Sequence, residues 1–162
     1  MTSNQQAIIY VEIKGSKQGR FKSDPSRAGK DKPTCVAYRF GIEVPHETRG
    51  SADIVRNQPL CIICEWNSFV VQCMQAAWNN SEPLEEVVLT FMRQEAGGSE
   101  RPYKTMTLKN ATIALLRNGS ADPDYILRDD YRDLTLIGFL AEEILVESGD
   151  DKAQYKRRST GP

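Results

Sequence analysis

The clearest alternation of apolar and polar residues in the chain runs from Tyr103 to Arg117 and reads YKTMTLKNATIALLR. Its apolar side chains recur at every second position, at Met106 and Leu108 and again at Ile113 and Leu115. A period of two is that of a β-strand, because successive side chains of a strand point to opposite faces. The pattern therefore predicts one long strand, with a bend near Asn110.

Period-two patterns also flank this stretch on both sides. They predict strands over residues 8–13, 35–44, 60–65, 86–94 and 134–147. In the segment 35–44 the opposite face is wetter than the one that carries Val36, Tyr38, Phe40, Ile42 and Val44. Several strands with turn residues between them are typical of a β-barrel or a β-sandwich.

One segment departs from this period. Residues 67–79 contain no Gly or Pro, and their apolar stripe has the helical spacing of Val70, Met74 and Trp78. Asn67 or Ser68 can cap the first turn by accepting a hydrogen bond from its free N–H groups. The sequence therefore predicts a mainly β fold: a two-sheet β-barrel or sandwich with one flanking α-helix at about residues 67–79.

The last predicted strand has apolar residues on both of its faces. Over residues 134–146 the even and the odd positions are both largely apolar, whereas a barrel core can bury only one face. The second face needs cover from the helix, from a loop or from another subunit. The sequence leaves these possibilities open.

The length of 162 residues fits a single domain. We expect this domain to span residues 1–148 and to be followed by a charged, disordered C-terminal tail over 149–162, because the tail lacks an apolar period. No uninterrupted apolar run approaches the ~20 residues that span a bilayer, so no membrane insertion is predicted. The polar start of the chain is unlike a signal peptide, so we expect synthesis and folding in the cytosol.

Charge and motifs argue against nucleic-acid binding and against catalysis. The chain has 21 Lys and Arg against 22 Asp and Glu, whereas a nucleic-acid binder carries a surplus of basic residues. No Gly-rich phosphate loop or GxSxG motif occurs, and His46 is the only histidine. We therefore predict no catalytic residue, no cofactor, no metal site and no enzyme activity.

The four cysteines are Cys35, Cys61, Cys64 and Cys73. Cys61 and Cys64 have CxxC spacing, but residues three apart in a strand point to opposite faces, so their thiols diverge. With one histidine and no second CxxC, a four-ligand zinc site is hard to fill. Buried structural cysteines in a reducing compartment are the prediction.

Taken in order, these segments resemble the haemolysin-coregulated protein (Hcp) family over roughly residues 8–148. Similar features are the opening strand with its glycine-bounded turn (11–22), the aromatic–x–aromatic strand (38–46) and the strand after the helix (82–93). The most specific piece lies in 103–113, where Leu108 to Ile113 match a Leu-x-Asn-Ala-x-Ile pattern. The segment 139–147 is similar to the closing strand, with its aromatic residue and Ile-x-Val-Glu.

The resemblance implies a structural subunit that forms six-membered rings, which stack into the expelled inner tube of a type VI secretion apparatus. The implied partners are other copies of the chain, sheath, spike and baseplate proteins, and effector cargo in the lumen. It also implies cytoplasmic assembly followed by export without a signal peptide. The implied interface candidates lie mainly in the long loop 46–57, and they are His46, Glu47, Arg49, Asp53, Leu140 and Leu145.

Several positions depart from the family pattern. Ala141 stands where an aromatic residue is common, Leu140 and Leu145 are apolar where polar residues are usual, and Asn57 replaces a histidine. The loop 122–133 is longer and more acidic than the family pattern. These departures bear on the geometry of ring stacking and on tube formation. Two alternatives stay open: a related phage-type tail tube protein, and a divergent monomeric Hcp-like module that carries an effector.

Overall fold

The computed structural model describes residues 8–24, 32–44, 55–79, 82–120 and 133–157 of the chain. Within these ranges the helix, α1, is Ser68–Trp78. The strands are β1 (Ile8–Gly15), β2 (Gly19–Arg20), β3 (Thr34–Cys35), β4 (Ala37–Arg39), β5 (Ile42–Glu43), β6 (Arg56–Asn57), β7 (Leu60–Glu65), β8 (Leu84–Gln94), β9 (Glu100–Gly119), β10 (Leu134–Ser148) and β11 (Asp151–Lys156).

Nine of these strands form one antiparallel sheet. Its path runs β2-β1-β8-β9-β10-β7-β4, with β3 beside β1 and β11 beside β10. The other two strands, β5 and β6, pair with each other in a small second sheet. The predicted fold class, a mainly β two-sheet protein with one flanking helix, is confirmed, and the large sheet does not close into a complete barrel.

The long strands bend along one line. The line follows successive pairing partners on β1, β8, β9 and β10, namely Gly15, Leu84, Ala111 and Ala141. Asn110 beside this line has a φ of 51°, in the left-handed region that asparagine tolerates better than most residues. The buried positions of β9 change phase there, from Met106 and Leu108 to Ala111 and Ile113. The predicted bend near Asn110 is therefore confirmed.

A short segment links the two edges of the large sheet. Its first part, β3, pairs with β1 through Ile9 and Cys35, and its second part, β4, pairs with β7. Between the two parts, the Val36 amide donates a hydrogen bond of 2.7 Å to the Ile63 carbonyl. Residues 34–39 therefore hold the β1 edge of the sheet close to the β7 edge.

The predicted helix is confirmed, and its first turn is capped as expected. The Asn67 side chain accepts a hydrogen bond of 3.1 Å from the Phe69 amide, and Asn79 ends the helix. The inner face of α1 joins the core cluster formed by the long strands, through Phe69, Val70, Cys73 and Ala76. Burial of these side chains, rather than intrinsic propensity, stabilises so short a helix.

The prediction of one continuous strand over 35–44 is wrong. The chain divides this segment between three short strands, because it first crosses between the sheet edges and then leaves the large sheet. The face expected to be drier is largely exposed at Val36, Tyr38, Ile42 and Val44. A period of two records an extended backbone, but it does not record which side of that backbone another element covers.

The prediction of a disordered tail from residue 149 is also wrong for the described part of that tail. Residues 151–156 form β11, which pairs with β10 from Ser148↔Asp151 to Glu143↔Lys156. Gly149 supplies the left-handed φ of 60° in the connecting turn. The strand is almost fully exposed, so backbone hydrogen bonds rather than apolar burial hold it in place. Residues 158–162 lie outside the described ranges.

Candidate assembly surface

An arm leaves the large sheet between β4 and β7. Its described parts are residues 40–44 and 55–59, which pair through β5 and β6. At the base of the arm, the Gln58 amide donates a hydrogen bond of 2.9 Å to the Gly41 carbonyl. A Cβ at Gly41 would lie 2.5 Å from the Gln58 side-chain oxygen, so a larger residue there would displace the flexible Gln58 side chain.

The arm exposes apolar side chains. Ile42 is 64% exposed and Val44 is 57% exposed, and Val55 on the returning leg is exposed as well. Several neighbouring β-branched side chains in water are unfavourable for a single chain and are typical of a contact surface. We call this feature the apolar arm.

The sequence-predicted residues His46, Glu47, Arg49 and Asp53 all fall in the connection between the two legs of the apolar arm. That connection, residues 45–54, lies outside the described ranges. Their interface role stays a prediction. The chain order nevertheless places them between Val44 and Val55, the two exposed apolar residues nearest to the connection.

Leu140 and Leu145, the other two predicted interface residues, lie on different parts of β10. Leu140 is 45% exposed. It lies between the part of β10 that pairs with β7 and the part that pairs with β11. Leu145 is half-buried and pairs with Thr107 on β9 and Gln154 on β11. The structure therefore does not bring these two leucines together, and Leu140 alone lies near the arm.

A recess of about 160 Å³ lies between the base of the apolar arm and β10. It forms because β7 covers β10 only up to Phe139, and β11 begins to cover it only at Glu143. Ala141 lines the recess at the position where the family pattern has an aromatic residue. The other lining residues are Phe40, Asn57, Gln58, Leu60, Leu108, Phe139, Leu140, Ile144, Tyr155 and Arg157.

Most of the first half of β10 is covered by other parts of the chain. From Leu134 to Phe139 every residue except the half-buried Leu136 is buried within the chain. The neighbouring strands and the core therefore cover both faces there. Leu140, directly after this stretch, is the apolar residue that the chain leaves exposed.

Sequence reasoning missed Tyr155 and Arg157, which line the recess from the far side. The available signal was Gly149-Asp150, a dipeptide typical of a two-residue hairpin turn. It directly follows the last predicted strand, so a returning strand could have been inferred. The charged composition of the tail concealed it, because β11 needs no buried face.

A row of alternating charge crosses five strands beside the bend. Its members are successive cross-strand partners: Lys14, Glu86, Lys109, Glu143 and Lys156. The Lys156 ammonium lies 3.5 Å from a carboxylate oxygen of Glu143, on the edge strand β11. Opposite charges facing each other across strands contribute roughly 0.2–1 kcal/mol per pair. The row therefore specifies the register of β11, which has little apolar burial of its own.

A second apolar surface lies along the outside of α1. Trp78, at the end of the helix, is 78% exposed. Val71, in the first half of the helix, is half exposed. Between α1 and β9 lies a groove of about 400 Å³, lined by Met74, Ala77, Trp78, Ile113, Ala114, Leu115 and Leu116. None of these residues is charged, so the groove and the apolar arm are both suited to contact with protein.

Two further observations concern the described residues. They contain no group of three or more His, Cys, Asp or Glu side chains placed to hold a metal ion. No helix in the described ranges is long and apolar enough to cross a membrane.

Comparison with known proteins identifies the family. The family model described as "Type VI secretion system effector, Hcp" matches residues 10–137, which is most of the chain. The chain belongs to the Hcp family. The family supports a place in type VI secretion, and the resemblance found in the sequence is confirmed. No curated protein matches the sequence of this Hcp.

Solved structures of Hcp proteins share this fold. One described as an Hcp protein has a TM-score of 0.80 at 16% identity, covering 94% of this chain and 99% of its own. A mutant of Hcp1 from E. coli EAEC 042 gives 0.76 at 14% identity, with 92% and 97% covered. Secreted Hcp3 from Pseudomonas aeruginosa gives 0.73 at 18% identity, with 94% and 99% covered. At these identities the likeness shows the fold alone.

The structure explains the most specific motif of this Hcp, Leu108 to Ile113. Leu108, Ala111 and Ile113 are buried at the bend, and Asn110 supplies its left-handed φ. Ala111 pairs with Leu84 on one side and with Ala141 on the other, at the centre of the bend line. A bulky residue at position 111 would have no space there, since Ala111 has no exposed surface.

Proposed function

We propose that this chain is the structural tube subunit of a type VI secretion apparatus. In this proposal the subunits form six-membered rings, and the rings stack into the inner tube that a sheath expels together with a spike. Effectors travel in the lumen, and the subunit itself leaves the cell without a signal peptide. Membership of the Hcp family supports the secretion role.

The exposure of the apolar arm is the observation that supports self-assembly. Ile42 and Val44 are more than half exposed, and the two described legs of the arm pair with each other rather than with the large sheet. Full burial of a Val or Ile side chain stabilises a contact by roughly 1.5–3 kcal/mol. Association with a neighbouring subunit that covers the arm would therefore be favourable, because it buries side chains that are exposed in the isolated chain.

The position of the arm favours a head-to-tail contact. The arm projects from one edge of the fold, whereas the exposed Trp78 and its groove lie on α1 and β9. When two different surfaces of one chain meet, the contact closes a ring if the rotation between subunits divides a full turn. A ring with identical arms at every contact is the arrangement that follows.

We also propose that the role is structural rather than enzymatic. The surfaces described above expose apolar side chains and paired charges, which bind other proteins. His46, the only histidine, lies in the arm connection, where a contact role accounts for it. The protein would act through the geometry of its assembly.

Native mass spectrometry of the purified full chain, with negative-stain imaging of the same sample, tests the proposal. Six-subunit particles that appear as rings are the expected result. A strict monomer over a wide concentration range would contradict ring formation and favour a divergent module that carries an effector. If the protein forms rings and its gene lies among phage tail genes, without membrane-complex genes, the result would point to a phage-type tail tube protein instead.

A further inference from the structure

Three of the four thiols meet in the core although they come from three different elements. Cys35 lies on β3, Cys64 on β7 and Cys73 on α1, and all three belong to the main buried cluster. All are free thiols. Cys61 points away from them, with its sulfur 3.5 Å from the place that a Cβ on Gly138 would occupy.

Two of the three thiols lie beside the point where β3 meets β7. The hydrogen bond from the Val36 amide to the Ile63 carbonyl fixes β3 against β7, so Cys35 and Cys64 flank this bond on opposite strands. The Cys35 side chain, followed by burial, raises the pKa of Cys64 well above its usual value. For Cys73, burial alone raises the pKa, so Cys73 is a neighbour of the pair rather than a member.

We propose that Cys35 and Cys64 are a latent disulfide pair, which is reduced during assembly and forms a bond when the protein meets an oxidising environment. Disulfides persist outside the cell and are reduced in the cytosol. The biological setting rests on the proposed function, because it requires export. The chemistry of the pair does not depend on export and can be measured on the purified chain.

The oxidant that fits a buried pair is a small peroxide. The Cys35 thiolate attacks one oxygen of hydrogen peroxide, the O–O bond breaks, and hydroxide leaves, which gives a sulfenic acid. The Cys64 sulfur then attacks that sulfur while its proton passes to the leaving oxygen, so the S–O bond breaks and water leaves as the S–S bond forms. With the two thiol protons, the products are one disulfide and two waters. Cys35 reacts first because it is 6% exposed, whereas Cys64 has no exposed surface.

The bond would join the two edges of the large sheet. Cys35 pairs with Ile9 on β1, and Cys64 lies on β7 towards the opposite end of the strand order. The apolar arm lies between these two cysteines in the chain. A disulfide there would therefore close a loop that contains the whole arm and would fix the base of the arm in the expelled protein.

The first test is made on the wild-type chain, so it does not depend on any variant that fails to fold. The reduced protein is treated with hydrogen peroxide, then unfolded and alkylated, and its peptides are mapped by mass spectrometry. We expect the loss of two hydrogen atoms, a Cys35–Cys64 linked peptide, and alkylation of Cys61 and Cys73 only. Four alkylated thiols, a bond to Cys73, or sulfonic acids in place of a bond would overturn the proposal.

Variants and pH give the second test. Cys35→Ala and Cys64→Ala should each abolish the intramolecular bond, whereas the matched controls Cys61→Ala and Cys73→Ala should keep it. Oxidation should accelerate with rising pH, because the thiolate is the attacking form. The oxidised wild type should melt about 5–15 °C higher than the reduced form, and no rise would contradict a bond across the sheet edges. Native mass spectrometry of the reduced chain reports ring formation separately, so failure of one proposal leaves the other measurable.

Discussion

The Lys104 ammonium donates a hydrogen bond of 2.7 Å to the Tyr38 hydroxyl. The same ammonium lies 4.1 Å from the ring centroid of Phe91, which packs edge-on against Tyr38 at 4.7 Å. Tyr38 lies on β4, just before the apolar arm, whereas Phe91 and Lys104 lie on β8 and β9. Lys104 therefore holds the root of the arm on the centre of the large sheet.

Replacing Lys104 with Met should lower the free energy of unfolding by about 1–2 kcal/mol. The estimate combines a cation–π contact with a hydrogen bond that involves a charged group. Urea unfolding measures the change. Lys152→Met is the matched control. Lys152 is exposed, and its ammonium comes no closer than 4.0 Å to the Glu147 carboxylate, so we expect a change below about 0.5 kcal/mol. Equal effects of both substitutions would refute the role of Lys104.

Asn110 provides a second prediction, based on its φ of 51°. Asn110→Ala should destabilise the protein by about 1–2 kcal/mol, because an ordinary L-residue is strained in the left-handed region. Asn110→Gly should be close to neutral, since glycine adopts this conformation without strain. Thermal unfolding of both variants distinguishes a backbone requirement from a side-chain one. Equal destabilisation by Ala and Gly would show that the asparagine amide, not the backbone, matters.

The sequence predicted the core of the fold well, because burial there follows the period of two. The bend at Asn110 was visible in the sequence because the apolar phase changes around it. The helix was visible because its stripe and its cap agree. These features depend on residues close together in the chain.

Features that depend on partners distant in the chain were missed. The apolar alternation from Val36 to Val44 suited a core strand, but the segment leaves the sheet as an arm, and nothing local records that departure. The strand β11 carries charges on half of its positions and is held by pairing with β10. The proximity of Cys35 and Cys64 likewise depends on how β3 meets β7, which the sequence does not reveal.

The stability of the reduced protein should fall in alkaline solution. Burial keeps the Cys73 thiol protonated in the folded chain at pH values where the unfolded chain, with a pKa near 9.0, has lost the proton. A pKa raised by folding gives stability that is complete below the unfolded pKa and is lost as the pH rises above it. Cys64 adds a loss of the same sign.

Cys73→Ala isolates this effect. Above pH 9 the wild-type free energy of unfolding should fall more steeply than that of the variant, by up to about 1 kcal/mol per pH unit. Cys64 contributes in both proteins, although less in the variant, because Cys73 is one of the groups that raise the pKa of Cys64. The difference in slope therefore reports Cys73 together with its effect on Cys64. Urea unfolding from pH 7 to pH 10.5, with reductant present, measures it. Parallel curves above pH 9 would contradict a buried, protonated thiol.

The alternating charge row predicts a salt-dependent loss of stability for Lys109→Glu. The new carboxylate would face Glu86 on one side and Glu143 on the other, where Lys109 now faces both. Like charges directly across strands should cost about 1–2 kcal/mol for the two pairs together. Because exposed charges are screened, the loss should shrink in 1 M salt. A loss that is independent of salt would assign the effect to packing instead.

In the proposed function the apolar arm holds the subunits together, and a comparison of three proteins tests this role. Native mass spectrometry would compare the wild type with Ile42→Asp on the arm and with Val36→Asp, a β-branched residue that is 44% exposed and lies outside both the arm and the α1 surface. Both substitutions are on the surface, so each should change the stability of the subunit by less than about 0.5 kcal/mol. We predict six-subunit rings for the wild type and for Val36→Asp, and monomers for Ile42→Asp. Intact rings from Ile42→Asp would contradict the account.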